Sequence, residues 1–384
     1  MRETPMLIRT GVLALLMLTF AGCAVTTPGT DNGSAAVAGT SMEAVVKRTF
    51  TAYGFELESG QKLPEMTLAY ETYGTLAADG RNAILITHGF TSSHHAAGKY
   101  SPTDPTPGFW DGLIGPGKTI DTNRVFVVSS NMLGSSYGST APASINPVTG
   151  TRYGPDFPTI TLGDIVRAQR LLLDGLRVRH LVAVAGPSFG GFQAFQWAVE
   201  YPDFMHGIVP VVTAPKFRGG SAADLVSTFA KDPNWHGGWH YDHGGIPATL
   251  MAMRVDTLRR YGQNEILAAR FPDPAARDAR IREMAAAWVR VFDPNSMVAL
   301  RKAASRFDTE RDFGKIRAKV LYVLSRTDKL FPPSIAPAVM DKLAKAGVDA
   351  RYVEIDTDFG HSASGADWSK WAPALGDFLH SLER

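Results

Sequence analysis

The stretch from His180 to Pro202, HLVAVAGPSFGGFQAFQWAVEYP, limits this chain more than any other. An apolar run, Leu181 to Ala185, stops at Gly186-Pro187-Ser188-Phe189-Gly190-Gly191. A helical pattern begins at once, with Phe192, Phe195, Trp197 and Val199 among its apolar positions. The spacing predicts a strand, a tight turn and a helix. In an elbow of this kind the serine sits on a strained turn, and the residues two before and two after it must be small so that strand and helix can pass closely. Glycines hold both places, which makes Ser188 the candidate nucleophile. Gly134-Ser135-Ser136-Tyr137-Gly138 matches the same five-residue pattern, but a loop punctuated by proline follows it instead of a helix, and this sets Ser136 aside.

The flanking sequence repeats the alternation of strand and helix. Phe50 to Glu58 and Met66 to Tyr73 alternate apolar and polar residues around Ser59-Gly60-Gln61, the pattern of an antiparallel hairpin at a sheet edge. Buried strands are expected at Ala83 to Thr87, Val125 to Ser130, Ile208 to Val212, Val320 to Ser325 and Arg351 to Ile355. Helices are expected at Leu162 to Leu176, at about Ser334 to Ala346 and at Trp368 to Leu382. Such an order implies an α/β fold, a mainly parallel sheet flanked by helices. Residues of about 215–318 break the rhythm, being helical with loops, and read as a helical cap inserted over the sheet.

Reacting groups collect at the carboxyl ends of parallel strands. The strand ending at Ser325 runs into a loop that carries Asp328, and the last strand runs into Thr357-Asp358-Phe359-Gly360-His361. The chain order Ser188, Asp328, His361 is the one imposed by the α/β-hydrolase fold. His361 would take the proton of Ser188 and return one to the leaving group, while Asp328 would hold the imidazole tautomer and stabilise the imidazolium. Asp356 and Asp358 are nearer to His361 in sequence, but either would have to fold back within one turn. The oxyanion hole needs two backbone N–H groups, which Phe189 and the loop His88-Gly89-Phe90-Thr91 would supply, the latter through Phe90. In the cap, the twelve residues from Asp232 to His243 hold three histidines and two aspartates. Their Gly-rich spacing suits a loop lining the cleft, and no metal site is assigned.

The first residues differ from the rest. Arg2 and Arg9 precede an apolar run, Gly11 to Ala21, which is too short to span a bilayer comfortably and stands where a secretory signal belongs. It ends at Ala21-Gly22-Cys23, which resembles the lipobox of bacterial lipoproteins, with Cys23 the lipidated residue and Ala24 favouring the outer membrane. The expected organisation is a signal peptide over 1–22, a flexible Gly/Ser/Thr/Ala tether over 23–48 and a catalytic domain over 49–384. Cys23 is the single cysteine, so the domain has neither a disulfide nor a thiol nucleophile. With Lys+Arg 39 against Asp+Glu 37, no basic surplus points to nucleic acid.

Nearly the whole span from Thr49 onward resembles the homoserine O-acetyltransferase family of α/β hydrolases. The resemblance rests on Trp110-Asp111-Gly112-Leu113-Ile114-Gly115-Pro116-Gly117-Lys118, Asp121-Thr122-Asn123-Arg124, Ser130-Asn131-Met132-Leu133-Gly134, Ser144-Ile145-Asn146-Pro147 and Tyr153-Gly154-Pro155-Asp156-Phe157-Pro158. It implies a serine that takes an acetyl group from acetyl-CoA and passes it to the homoserine hydroxyl. Arg254 and Tyr261 match a pair that helps to bind the amino acid, and the family also suggests a homodimer. Family members carry an aspartate after the catalytic histidine, where it pairs with the substrate ammonium, but here the residue is Ser362. A buried ammonium without that carboxylate loses a charge-assisted hydrogen bond worth about 1.5 to 3 kcal/mol. An exported enzyme would also lack cytoplasmic acetyl-CoA. The sequence therefore reads as an exported serine hydrolase that cleaves a small ester through an acyl-serine, with water as acceptor and no cofactor, and with the lipid anchor as its sole membrane contact. The alternatives are an acetyl-CoA-dependent homoserine O-acetyltransferase and a non-catalytic binding lipoprotein.

Overall fold

The computed structural model describes Met42 and residues 44–383. The signal segment, Cys23 and most of the tether lie outside these residues. β1 (Arg48–Glu56) and β2 (Lys62–Tyr73) form the expected hairpin, antiparallel from Arg48 opposite Tyr70 to Glu56 opposite Lys62. β3 (Ala83–Ile86) follows, then β4 (Ile114–Gly115) and β5 (Ile120–Asp121), which pair only with each other. The sequence reading missed those two because two residues are too few to show an alternation. Next come β6 (Phe126–Ser130), α1 (Leu162–Gly175), β7 (Leu181–Pro187), α2 (Phe189–Glu200) and β8 (Met205–Val211).

The inserted cap carries α3 (Ala222–Phe229), α4 (Pro247–Arg260), α5 (Gln263–Ala268), α6 (Pro274–Val289) and α7 (Pro294–Ser305). The chain then returns to the sheet through β9 (Lys319–Ser325), α8 (Ala336–Lys345), β10 (Ala350–Ile355), α9 (Ala363–Ala366) and α10 (Ala372–Leu382). The helix expected over Trp368 to Leu382 is divided. A short turn, Trp368–Lys370, precedes α10, whose second residue is Pro373; a proline has no N–H to donate and its ring is tolerated only in a helix's first turn.

Eight strands make one sheet in the order β1-β2-β6-β3-β7-β8-β9-β10, antiparallel at β1-β2 and β2-β6 and parallel elsewhere. Strands β3 and β6 are buried at every residue, as central strands covered on both faces must be. The period of two divides their neighbours between two cores. Val184, Ile208, Val320 and Tyr322 pack on the α1 and α2 side with Leu172 and Phe195. Ala183, Val209, Leu321 and Val323 face α10 with Leu375 and Phe378. The cap has an apolar core of its own, built from Phe229, Trp235, Leu250, Trp288 and Phe292. Among the described residues, no helix is long and apolar enough to cross a membrane.

Candidate active site

Ser188 stands between β7 and α2 with φ 57° and ψ −118°, a left-handed conformation that costs a non-glycine residue about 1 to 3 kcal/mol. Neighbouring strands hold it there. Its N–H donates to the Val211 carbonyl at 2.8 Å, and its carbonyl accepts from the Thr213 hydroxyl at 2.7 Å. The two elbow glycines are required by close approach. A Cβ on Gly186 or Gly190 would stand 2.6 or 2.7 Å from the Thr87 carbonyl oxygen. That leaves the end of β3 touching the elbow, which brings the following loop beside the serine.

The loop after β9 carries Asp328 and the loop after β10 carries His361, both buried. His361 Nδ1 lies 2.8 Å from Asp328 Oδ2. The other carboxylate oxygen, Oδ1, accepts from the N–H of Leu330 at 2.8 Å and of Phe331 at 3.3 Å, so Asp328 is fixed from both sides. The imidazole is walled by the rings of Tyr261 and Phe331, with centroids at 4.7 and 5.7 Å. Asp356 and Asp358, the nearer alternatives, both pair instead with the exposed Arg326, at 2.6 and 2.8 Å. Ser188 and His361 line one cavity.

The loop from His88 to Phe90 lies against the elbow: a Cβ on Gly89 would be 3.7 Å from that of Ser188, and the Phe90 and Phe189 rings stack at 5.8 Å. Among the described residues neither the Phe90 nor the Phe189 N–H donates to a protein acceptor, which leaves both for a developing oxyanion. Two residues to which the sequence reading assigned no role hold this pair. Gln193 Nε2 reaches the carbonyls of both His88 and Phe189 at 3.2 Å, and Asn131 Oδ1 meets His88 Nε2 at 2.8 Å. Burial lowers the His88 pKa to about 4, so the ring packs as a neutral spacer. Further along the same loop His94 and His95 surround the buried Glu71, to which the Tyr73 and Tyr100 hydroxyls donate.

Two chambers meet at Ser188, and Phe90 and Tyr261 line both. The smaller, about 330 Å³, is bounded by Thr91, Trp110, Arg254, Gln263, Ser362 and Ser364, among others, and no aspartate or glutamate lines it. Arg254 Nη1 donates to the Thr91 hydroxyl at 2.9 Å and the guanidinium lies over Trp288, but its buried Nε has no acceptor among the described residues. Burial lowers its pKa from the ordinary arginine value, an effect that the Tyr261 and Tyr137 hydroxyls oppose. Ser362 faces Gln263 Nε2 at 3.4 Å, and its N–H donates to the Tyr261 carbonyl at 3.1 Å. Arg254, Tyr261 and Ser362 are thus brought to the same cavity as the serine. The larger chamber, about 600 Å³, is walled by Phe189, Phe192 and Phe217 and by six basic side chains, Lys216, Arg218, Arg260, Arg301, Lys329 and Lys342, against one carboxylate, Glu310. No spacing in the sequence links those six, which come from the cap, β9's loop and α8.

The loop Asp232 to His243 lines neither chamber. It folds into the cap instead, where His240 Nε2 and the Tyr241 hydroxyl meet Asp293 at 3.1 and 3.2 Å and Trp235 is buried. The expectation of a cleft-lining loop is corrected by these contacts: Trp235 enters the cap's core, and His240, Tyr241 and Asp232 are held by Asp293 and Thr249 of the cap. Among the described residues no group of three or more His, Cys, Asp or Glu is placed to hold a metal. Ser136 accepts from the Asp293 N–H at 3.0 Å, a structural role.

Residues 82–365 match the family model of the alpha/beta hydrolase fold. The chain is 39% identical over 352 residues to a homoserine O-acetyltransferase of Symbiobacterium thermophilum, covering 85% of this chain and 92% of that one. It is 38% identical over 337 residues to a homoserine O-succinyltransferase of Hahella chejuensis, covering 80% and 86%. The solved structure of esterase E22 superposes with a TM-score of 0.79 at 31% identity, covering 87% of this chain and all of that one.

Proposed function

The chain belongs to the homoserine O-acyltransferase family of α/β hydrolases, and from that premise we propose that it moves a short acyl group through Ser188 from an anionic thioester donor to the hydroxyl of a small carboxylate-bearing acceptor. The observation that carries this reading is the meeting of two chambers of opposite design at one serine. His361 takes the Ser188 proton as Oγ bonds to the acyl carbon, and the thioester bond breaks with the proton passing to the departing sulfur. The acceptor hydroxyl then gives its proton to His361 and its oxygen takes the acyl carbon; Ser188 recovers the proton. The Phe90 and Phe189 N–H groups would hold the oxyanion in both steps. A basic wall suits a phosphate-bearing donor such as acetyl-CoA, and Arg254 suits the acceptor's carboxylate.

Ester hydrolysis is the second reading. It is favoured by Ser362 and by the likeness to esterase E22, and an export signal over residues 1–22 with lipidation at Cys23 would separate the enzyme from cytoplasmic donors. Incubation of the purified protein with acetyl-CoA and homoserine, with release of free thiol and O-acetyl product followed together, separates the two. Thiol release matched by product supports transfer. Thiol release matched only by acetate, or p-nitrophenol release from p-nitrophenyl acetate matched only by acetate, in each case lost in Ser188→Ala, supports hydrolysis. Fractionation of cells making the wild type and Cys23→Ser tests the anchor: lipidation predicts that only the wild type sediments with membranes.

A further inference from the structure

The smaller chamber holds one fixed charge. Arg254 enters it from α4 beside Thr91, with a buried Nε that has no acceptor among the described residues, and no aspartate or glutamate lines the walls. Asp328, behind His361, has both oxygens engaged, by His361 Nδ1 and by the N–H groups of Leu330 and Phe331. A buried guanidinium with no carboxylate partner among the described residues favours an anionic ligand. A cationic ligand meets the reverse. An ammonium placed there would be stripped of water beside Arg254 and beside an imidazole that becomes cationic during transfer, and would find neutral acceptors but no carboxylate to receive it: the hydroxyls of Ser92, Tyr261, Ser362 and Ser364, the Gln263 amide and backbone carbonyls.

We propose that the acceptor this chamber selects is a hydroxy carboxylate with no free ammonium, its nitrogen either absent or acylated. The proposal rests on the acyl-Ser188 reading above and names the acceptor class within it. Arg254 binds the carboxylate. Phe109, Trp110 and Ile266 offer an apolar wall that an N-acyl group can cover, in a space of about 330 Å³, within the ~300–1,000 Å³ range of ligand pockets. In the transfer the acceptor's O–H bond breaks, its proton passing to His361 and on to Ser188 Oγ. Its oxygen bonds to the acyl carbon as the Ser188 ester bond breaks.

The purified protein, given p-nitrophenyl acetate as donor, is offered L-homoserine, N-acetyl-L-homoserine and 4-hydroxybutyrate in pairwise competition, with products quantified by mass spectrometry. Loss of a charge-assisted hydrogen bond predicts a kcat/KM for at least one uncharged-amine acceptor about 10- to 100-fold above that for homoserine. Ser362→Asp, which supplies a carboxylate, should shift the ratio toward homoserine by about tenfold or more. Homoserine acetylated as well as or better than both others by the wild type overturns the proposal. So does a Ser188-dependent p-nitrophenol burst with no acceptor acetylated, which leaves the acyl-serine intact and makes water the acceptor. Absence of any Ser188-dependent burst removes the acyl-serine reading itself.

Discussion

The two chambers at Ser188 differ in how they hold charge. The smaller has a single guanidinium wedged between Thr91 and Trp288, while the larger has six basic side chains, of which Lys342 pairs with Glu310, Lys216 with Asp308 and Arg260 with Asp256. Burial makes one charge in the first count for more than several in the second, because water and salt screen exposed charges and leave an enclosed one nearly bare. The small chamber is therefore built to discriminate, and the large one to attract.

The sharpest break of that difference removes what the chambers share. Asp328→Asn keeps the shape of the pair with His361 but offers the imidazole the wrong partner, and should lower turnover about 10⁴-fold with every acceptor and with none. Single-turnover acylation and deacylation rates should fall together. A loss confined to one step would mean that the two chambers do not use the same histidine.

A second shared wall is the loop from His88 to His95, and acid should weaken it. Burial lowers both His88 and His94 to about 4, against 6.5 when unfolded. For His94 the buried Glu71 opposes that shift without overcoming it. Between those values the unfolded chain binds the extra protons, so stability is full above about pH 6.5 and falls as pH drops toward 4, by an amount on the order of 3 kcal/mol per histidine. The midpoint of thermal unfolding, followed by circular dichroism from pH 7 to 4.5, should fall, and His94→Leu should flatten part of the slope. An unchanged slope in the variant would show that His94 is not a protonation site that unfolding exposes.

Next in size is a change that separates the chambers. Arg254→Met removes the one charge of the smaller chamber while keeping the stem over Trp288, and should lower kcat/KM for a carboxylate-bearing acceptor about 10- to 100-fold. The acylation half-reaction should change little. Equal losses in both halves would place Arg254 in the support of the Thr91 loop and not in acceptor binding.

The unequal character of the chambers also explains what the sequence disclosed. Ser188, its two glycines, Asp328 and His361 each sit at a strand end, and strands announce themselves by apolar runs, so topology alone places them. Arg254, Tyr261 and Ser362 came through a resemblance to a family and not through any periodicity. Gln193, buried on α2 and tying the carbonyls of His88 and Phe189, reads in sequence as an ordinary polar residue of an amphipathic helix. The loop 232–243 misled for a physical reason: a cluster of His, Asp and Trp has the same composition whether it lines a cleft or closes on itself around Asp293. The basic wall had no local signal at all, because its members lie up to 126 residues apart, from Lys216 to Lys342, and meet only when the cap folds over the sheet.

That wall gives the smallest expected effect and the one most dependent on conditions. Arg218 and Lys329 are exposed at the larger chamber and have no ion-pair partner among the described residues, so each contributes a screened field more than a fixed contact. Exposed charges of this kind are worth about 0.2 to 1 kcal/mol. The double change Arg218→Gln, Lys329→Gln should raise KM for acetyl-CoA roughly 2- to 5-fold at low ionic strength, with kcat and the use of p-nitrophenyl acetate unaltered. Added salt should bring the wild type toward the variant, since at 1 M the Debye length is about 3 Å and the field no longer reaches across the chamber. If the variant instead loses acetyl-CoA use entirely and salt has no influence, the larger chamber binds its donor through fixed contacts, as Arg254 is expected to bind the acceptor. The two halves of the site would then work by one principle rather than two.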